Sequence, residues 1–312
     1  HLDRIGPPGR RFERGVTRPR RQAPGGDDVI LQPVVQLAVA LELRRQLAQR
    51  DLEGLIAGLG RELLLGLETP VEAAVREAGL ARDLRQPGDE VIIGNQDYGS
   101  MVEAFEQAAA RWGIVIKIAD VPKDPRSDAE IVNAYVDLIT PNTKMLHLTH
   151  MINLSGQLIP AQTIIRQAKQ KQPQIVVAVD AAHSLAHTPV DMIDLVNAGA
   201  DTIGGSLHKW LCNPIGVGFL YMKKSLIPSI WPLMGDTGAD KNDIRKFEHQ
   251  GTRPINSLQT IAKAIEFHRL IGSSAKHNRL TYLKLLWIGN KQALENFGKG
   301  LGILNDPQYQ AN

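Results

Sequence analysis

Residues 175–211, IVVAVDAAHSLAHTPVDMIDLVNAGADTIGGSLHKWL, leave this chain few folds to choose from. The segment opens on an unbroken apolar run, Ile175 to Val179, which suits a strand buried on both faces of a parallel sheet. That run delivers Asp180 at its C-terminal end, with His183 three residues on. A helical stretch (Val190 to Ala198) leads to a second short strand, Thr202 to Gly204, and then to Ser206, His208, Lys209 and Trp210. In open α/β sheets the ligand crevice lies outside the C-terminal ends of the strands. An acid, two imidazoles and a lysine at two such ends mark a candidate site.

The residue types narrow the chemistry. A lysine amine that has lost its proton condenses with an aldehyde to a Schiff base. A carboxylate one strand away keeps a pyridine nitrogen protonated and turns that ring into an electron sink. Lysine and aspartate in these roles are the pyridoxal phosphate arrangement. The plainer alternative is that Asp180 and Lys209 form a solvated charge pair at strand ends.

The rest of the chain supports an α/β fold from about residue 84. Val91–Gly94, Met101–Trp112 and Val115–Ile118 read as strand, amphipathic helix and strand, a βαβ unit of the right-handed kind. A helix over Asp128–Leu138, a strand over Thr143–His150 and a helix from Pro160 to Lys171 follow. His147 and His150 are three apart on a strand, so they point to opposite faces and are poorly placed to share a metal. Gly216–Met222 reads as a further strand, Ile227–Ala239 as a Pro- and Gly-containing loop suited to a substrate entrance. Helices are expected over Leu258–Ile271, with Ile261, Ala264 and Ile265 on its packed side, and over Ser274–Phe297.

Residues 1–84 differ in composition: the first lysine of the chain is Lys117, and arginine carries the positive charge before it. Residues 1–28 read as a basic arm, and Leu31–Leu80 as helix-compatible with breaks at Gly54, Gly58, Gly66 and Pro70. The shift suggests a frameshifted or chimeric origin for this part, which sequencing of the coding region would check.

DAAHSLAHTPVD followed by GGSLHKWLCNPIGVGFLY resembles the core of the class V aminotransferase family, in its isopenicillin N epimerase-like branch, among the fold type I pyridoxal phosphate enzymes. The resemblance implies an α/β three-layer sandwich with a mostly parallel sheet, its Gly216–Met222 strand reversed. It implies a pyridoxal phosphate domain over 85–272 and the start of a C-terminal small domain over 273–312, most of which is missing. It assigns Lys209 as the Schiff-base lysine, Asp180 as partner of the pyridine nitrogen, His183 near the ring hydroxyl, and Ser206 and His208 to the phosphate. Tyr98, after Asp97, matches the ring that stacks on the cofactor, and Asn153 the residue that touches ring hydroxyl and substrate carboxylate. Thr252 matches a threonine that reaches the neighbouring subunit's phosphate, which implies a homodimer with shared sites. Arg253 is a candidate for the substrate carboxylate, or equally a surface charge. The family's N-terminal phosphate turn has no match, Thr69 being the only residue near its place.

The implied activity begins with loss of an amino acid's α-proton and ends in epimerisation, β-elimination or transamination. Cys212, the only cysteine, is expected to be a buried small apolar residue, which disfavours desulfurase chemistry. A cofactor-binding but inactive relative, or a dimeric scaffold, is the alternative. The net charge of +3 over 312 residues gives no case for nucleic-acid binding. With no signal-peptide or membrane-length apolar run, a soluble cytoplasmic protein is expected.

Overall fold

In a computed structural model, residues 86–232, 240–248 and 255–289 are described, with the backbone of Leu63–Leu67 and the isolated Gln292 and Asn296. All of them belong to the compact unit Arg45–Asn312. The expected basic arm, Thr69, the loop residues 233–239, Thr252, Arg253 and the far end of the last helix lie outside the described residues.

Seven strands form one sheet in the order β1-β7-β6-β5-β4-β2-β3: β1 (Leu63–Leu67), β2 (Glu90–Gly94), β3 (Val115–Ala119), β4 (Thr143–Thr149), β5 (Val176–Asp180), β6 (Thr202–Ser206) and β7 (Val217–Met222). The pairs β2–β3, β2–β4, β4–β5 and β5–β6 are parallel, and β7 runs antiparallel to both β6 and β1. The reversed strand implied by the resemblance is therefore present. Crossovers carry the helices α1 (Gly99–Trp112), α2 (Asp128–Val136), α3 (Ala161–Lys171) and α4 (Met192–Ala198). After β7 come α5 (Asn256–Gln259), α6 (Ile261–Ile271) and α7 (Ser273–Trp287).

Strand alternation sorts the core into two layers. Leu146, Leu148, Val177, Val179 and Ile203 pack against Ile131, Ile164, Ile165, Leu195 and Ile261 of α2, α3, α4 and α6. Their strand neighbours Met145 and Ala178 face the other way, with Val91 and Ile93, onto Phe105 and Ala108 of α1 and onto Ile227, Ile230 and Phe247. Helices on one face, sheet, and α1 with the post-β7 turns on the other make the three layers expected. In α3 the buried Ala161, Ile164, Ile165 and Ala168 form a stripe at helical spacing.

Leu63–Leu67 corrects the sequence reading. LLLGL lies inside the stretch expected to be helical, yet it pairs antiparallel with β7, Gly66 opposite Gly218. Without it β7 would be a sheet edge with open backbone groups. A five-residue apolar run carries no period that separates strand from helix, and long-range pairing decides. Smaller differences have local causes. The helix expected over Leu258–Ile271 is broken at Thr260, whose hydroxyl donates to Ser257 O at 2.7 Å and accepts from Asn213 Nδ2 at 3.1 Å. Helix α4 starts at Met192 because Asp191 caps it, its carboxylate accepting from Ile193 N at 2.8 Å.

Gly205 in β6 has no room for a side chain. A Cβ there would sit 2.4 Å from a ring carbon of Phe219 and 3.3 Å from the carbonyl of Ala181. Gly205→Ala is expected to destabilise the fold by about 1–3 kcal/mol through overpacking, read as a lowered midpoint in urea with an unchanged slope.

Candidate active site

The C-terminal ends of β4, β5 and β6 meet at one edge of the sheet. Thr149 is opposite Asp180, and Asp180 opposite Gly204, so the ends are level. Asp180 is the last residue of β5, and its Oδ1 accepts from Ala182 N at 2.8 Å. The chain then turns through Ala181–Thr188, carrying His183 half-buried. Ser206, buried, ends β6, and the ten residues to Gly216 turn back into β7.

That turn carries Lys209 and is held at many points. Leu207 N–H donates to Val217 O at 2.8 Å, Asn213 N–H to Leu207 O at 3.2 Å and Cys212 N–H to Lys209 O at 3.2 Å. The His208 ring nitrogen Nδ1 lies 3.0 Å from Val217 O. From outside, Lys276 of α7 donates to Trp210 O, and Asn213 reaches Thr260. Trp210 stacks on His187 with ring centroids 3.7 Å apart and planes 22° from parallel, so the lysine turn is joined to the His183 turn.

His183 feels the charges of both Lys209 and Asp180. Burial first, and then the Lys209 and His187 charges, push the His183 imidazole below its usual range, while the Asp180 carboxylate pulls it back up. His183 is thereby kept neutral near pH 7, able to accept or donate one hydrogen bond.

A second histidine links the neighbouring turns. His150, just past β4, donates its backbone N–H to Asp180 O at 2.8 Å, and its Nδ1 lies 3.0 Å from Ser184 Oγ inside the protein. Burial lowers its pKa from 6.5 to about 4. The segment after it turns back at Gly156, with Ile152 N–H donating to Gln157 O at 3.0 Å, and holds Asn153 half-buried. His147 points elsewhere, onto Phe105 with centroids 5.5 Å apart, so the two histidines do not converge. Tyr98 is the residue before α1 and exposes 46% of its surface, whereas the side chain of Asp97 beside it is buried.

Cys212 departs from expectation. It is exposed, and its backbone is left-handed (φ 67°). Ser184, His187 and Lys276 were not singled out from the sequence, His147 and His150 only as a pair poorly placed for a metal, and the pairing of Asp97 with His147 not at all. The spacing HSLAH, which puts two histidines four apart, is the one local sign that His183 and His187 share a turn.

The sequence profile described as Aminotransferase class-V matches residues 73–297. The chain belongs to that family. The isopenicillin N epimerase of Streptomyces clavuligerus is 29% identical over 244 residues, 73% of this chain and 59% of that protein. A probable cysteine desulfurase of Synechocystis is 27% identical over 65% of this chain and 48% of its own length. The chain thus spans about half to three-fifths of these relatives.

Among solved structures, the cystine C-S lyase C-DES in complex with cysteine persulfide superposes with a TM-score of 0.68 at 20% identity, over 84% of this chain and 70% of that one. The cysteine desulfurase of Thermococcus onnurineus does so with a TM-score of 0.65 at 18% identity, over 84% and 65%. These likenesses establish the fold. A C-DES variant carries glycine covalently linked to its PLP cofactor. Together with the family match this indicates pyridoxal phosphate as the cofactor.

The residues present fit that group. It needs an acid for its nitrogen, an amine for its aldehyde and polar groups for its phosphate, and Asp180, Lys209, and Ser206 with His208, at or just past two adjacent strand ends, are of the types that could supply them. No cluster of metal-ligating side chains is present among the described residues, and none of their helices is long and apolar enough to cross a membrane.

Proposed function

We propose that this class-V chain binds pyridoxal phosphate through Lys209 and Asp180 and removes the α-proton of an amino acid, as an epimerase or a β-lyase. The observation that carries this is the level pairing of Asp180 with Gly204 on parallel strands, five residues before Lys209 on a turn clamped to β7. A cofactor held there would supply an electron-accepting pyridinium ring.

The chain's own residues do the rest. Asp180 holds the proton on the ring nitrogen. The Lys209 amine would take the proton at Cα; in epimerisation a proton would be delivered to the opposite face, and in β-elimination the β-substituent would leave with the electron pair. Neutral His183 offers a hydrogen bond toward the ring hydroxyl, Ser206 and His208 hold the phosphate, Tyr98 covers the ring, and Asn153 orients the substrate carboxylate. Thr252 and Arg253 complete phosphate and carboxylate binding in this assignment, Thr252 in the site of a second copy of the chain.

The two relatives with different chemistries leave epimerisation and C–S cleavage as the outcomes to separate. The test is incubation with pyridoxal phosphate and single amino acids in deuterated water. Deuterium entering Cα supports the proposal, and racemised product or released sulfide then names the branch. A chain that binds the cofactor on Lys209 yet exchanges no α-proton with any amino acid is the inactive relative instead.

A further inference from the structure

Next to the candidate site is a second set of polar residues with no task in that assignment. Asp97, in the turn from β2 to α1, has a side chain 1% exposed, and the His147 side chain on β4 is 0% exposed. Asp97 Oδ2 accepts from Gly94 N at 2.8 Å and lies 3.8 Å from His147 Nε2. Both ring nitrogens of His147 and the Tyr135 hydroxyl are buried without a hydrogen-bond partner among the described residues, and the Thr149 hydroxyl is directed at the Asp97 carboxyl. A buried polar atom left unpaired costs about 1–3 kcal/mol, and folds retain few of them. Here three separate elements bring several to one carboxyl. Gly94 keeps the space open: a Cβ there would lie 2.5 Å from the Tyr135 hydroxyl and 3.0 Å from Asp97 Oδ1.

This set reaches Asp180 through the sheet. On β4, His147 is opposite Ala178 and Thr149 opposite Asp180. Residues two apart on a strand share a face, so His147, Thr149 and Asp180 share the one on which Phe105 packs. Burial above all pushes the Asp97 carboxyl above its usual range, and the Asp180 charge adds to this, while His147, Thr149 and the Gly94 N–H pull it down. Tyr135, from α2, is pushed up by burial and by the charge of Asp97. The titratable groups facing Asp97 are thus His147, Asp180 and Tyr135.

We propose that Asp97 is a positioning residue for the cofactor's acid: paired with His147 on the face of the sheet that also carries Asp180, it sets the charge against which Asp180 holds the proton on the pyridine nitrogen. This rests on the pyridoxal phosphate assignment but concerns residues outside it. A carboxyl there only to complete the fold would need neither an imidazole beside it nor Asp180 within reach of its charge.

Two measurements test it. In the full chain labelled with ¹³C-aspartate, the Asp97 carboxyl is followed against pH, its signal assigned by its loss in Asp97→Asn. His147→Gln is expected to raise its midpoint, and Asp180→Asn to lower it, each by about half a pH unit or more. Midpoints unmoved by both variants overturn the proposal, whether or not cofactor binds. In the chain saturated with pyridoxal phosphate, the visible absorption band is titrated. If Asp97 is ionised near Asp180 as proposed, Asp97→Asn is expected to lower its midpoint by about half a pH unit or more, with borohydride still fixing a pyridoxyl group on Lys209. An identical midpoint in folded Asp97→Asn overturns the proposal. Should wild type take no pyridoxyl group, the cofactor assignment fails by itself, and the carboxyl titration decides the coupling. A merely structural Asp97 would lower the melting temperature in Asp97→Asn and move neither midpoint.

Discussion

Lys209→Ala is expected to take no pyridoxyl label when the chain is mixed with pyridoxal phosphate and reduced with borohydride, while wild type carries the label on the peptide containing residue 209. The same variant is expected to lose α-proton exchange by about a thousandfold or more, because the attachment point and the proton carrier at Cα are one amine. Folding should be nearly unaffected. Lys209 is half-buried, and the turn around it is held by main-chain contacts of Leu207, His208, Cys212 and Asn213 that do not use its side chain. Peptide mapping after reduction reads the first effect and mass spectrometry of deuterated product the second. A label found on another lysine in wild type would move the site and remove the basis of the assignment.

Acid is expected to unfold the protein through His150. Its imidazole titrates at 6.5 when unfolded and at about 4 when folded, burial being the cause. A histidine whose folded value is depressed stabilises fully above the unfolded value. As pH falls from 6.5 towards 4, the unfolded chain binds a proton that the folded chain refuses, and stability drops with it. Each unit is worth about 1.4 kcal/mol, so about 3 kcal/mol is lost across this window. His183, His187 and His268 are displaced in the same direction and add to the fall. Asp97, displaced upward, opposes it at the acid end. His150→Asn removes the titrating group, so urea midpoints at pH 7 and pH 4.5 should lie closer together in the variant than in wild type. Equal separations would mean that His150 is not buried beside Ser184 as described.

Much of this architecture can be read from the chain, and the reason is physical. Parallel strands buried on both faces are continuous apolar runs, so Val176–Val179 and Val91–Ile93 announce themselves, and the strand ends locate Asp180 and Ser206. Lys209 follows because it sits a fixed few residues past such an end. What stays hidden depends on partners distant in sequence. Leu63–Leu67 is a strand only because β7 offers it an edge. Cys212 is exposed on a left-handed turn that no local pattern announces. Asp97 and His147 are brought together by two parallel crossovers, and Tyr135 by a helix on the opposite face from Phe105, so no local pattern unites them.

The reversal of β7 has a bearing on the order in which the site assembles. The lysine turn joins two antiparallel neighbours directly, across ten residues, with Leu207 N–H already bonded to Val217 O. Asp180 meets β4 and β6 only after chain segments that include α3 and α4 have crossed over. Contacts close in sequence form sooner than those that must first close long loops. The amine is therefore set by a local event and the acid by a global one, and pulsed hydrogen exchange during refolding is expected to protect the Leu207 amide before that of Ala181.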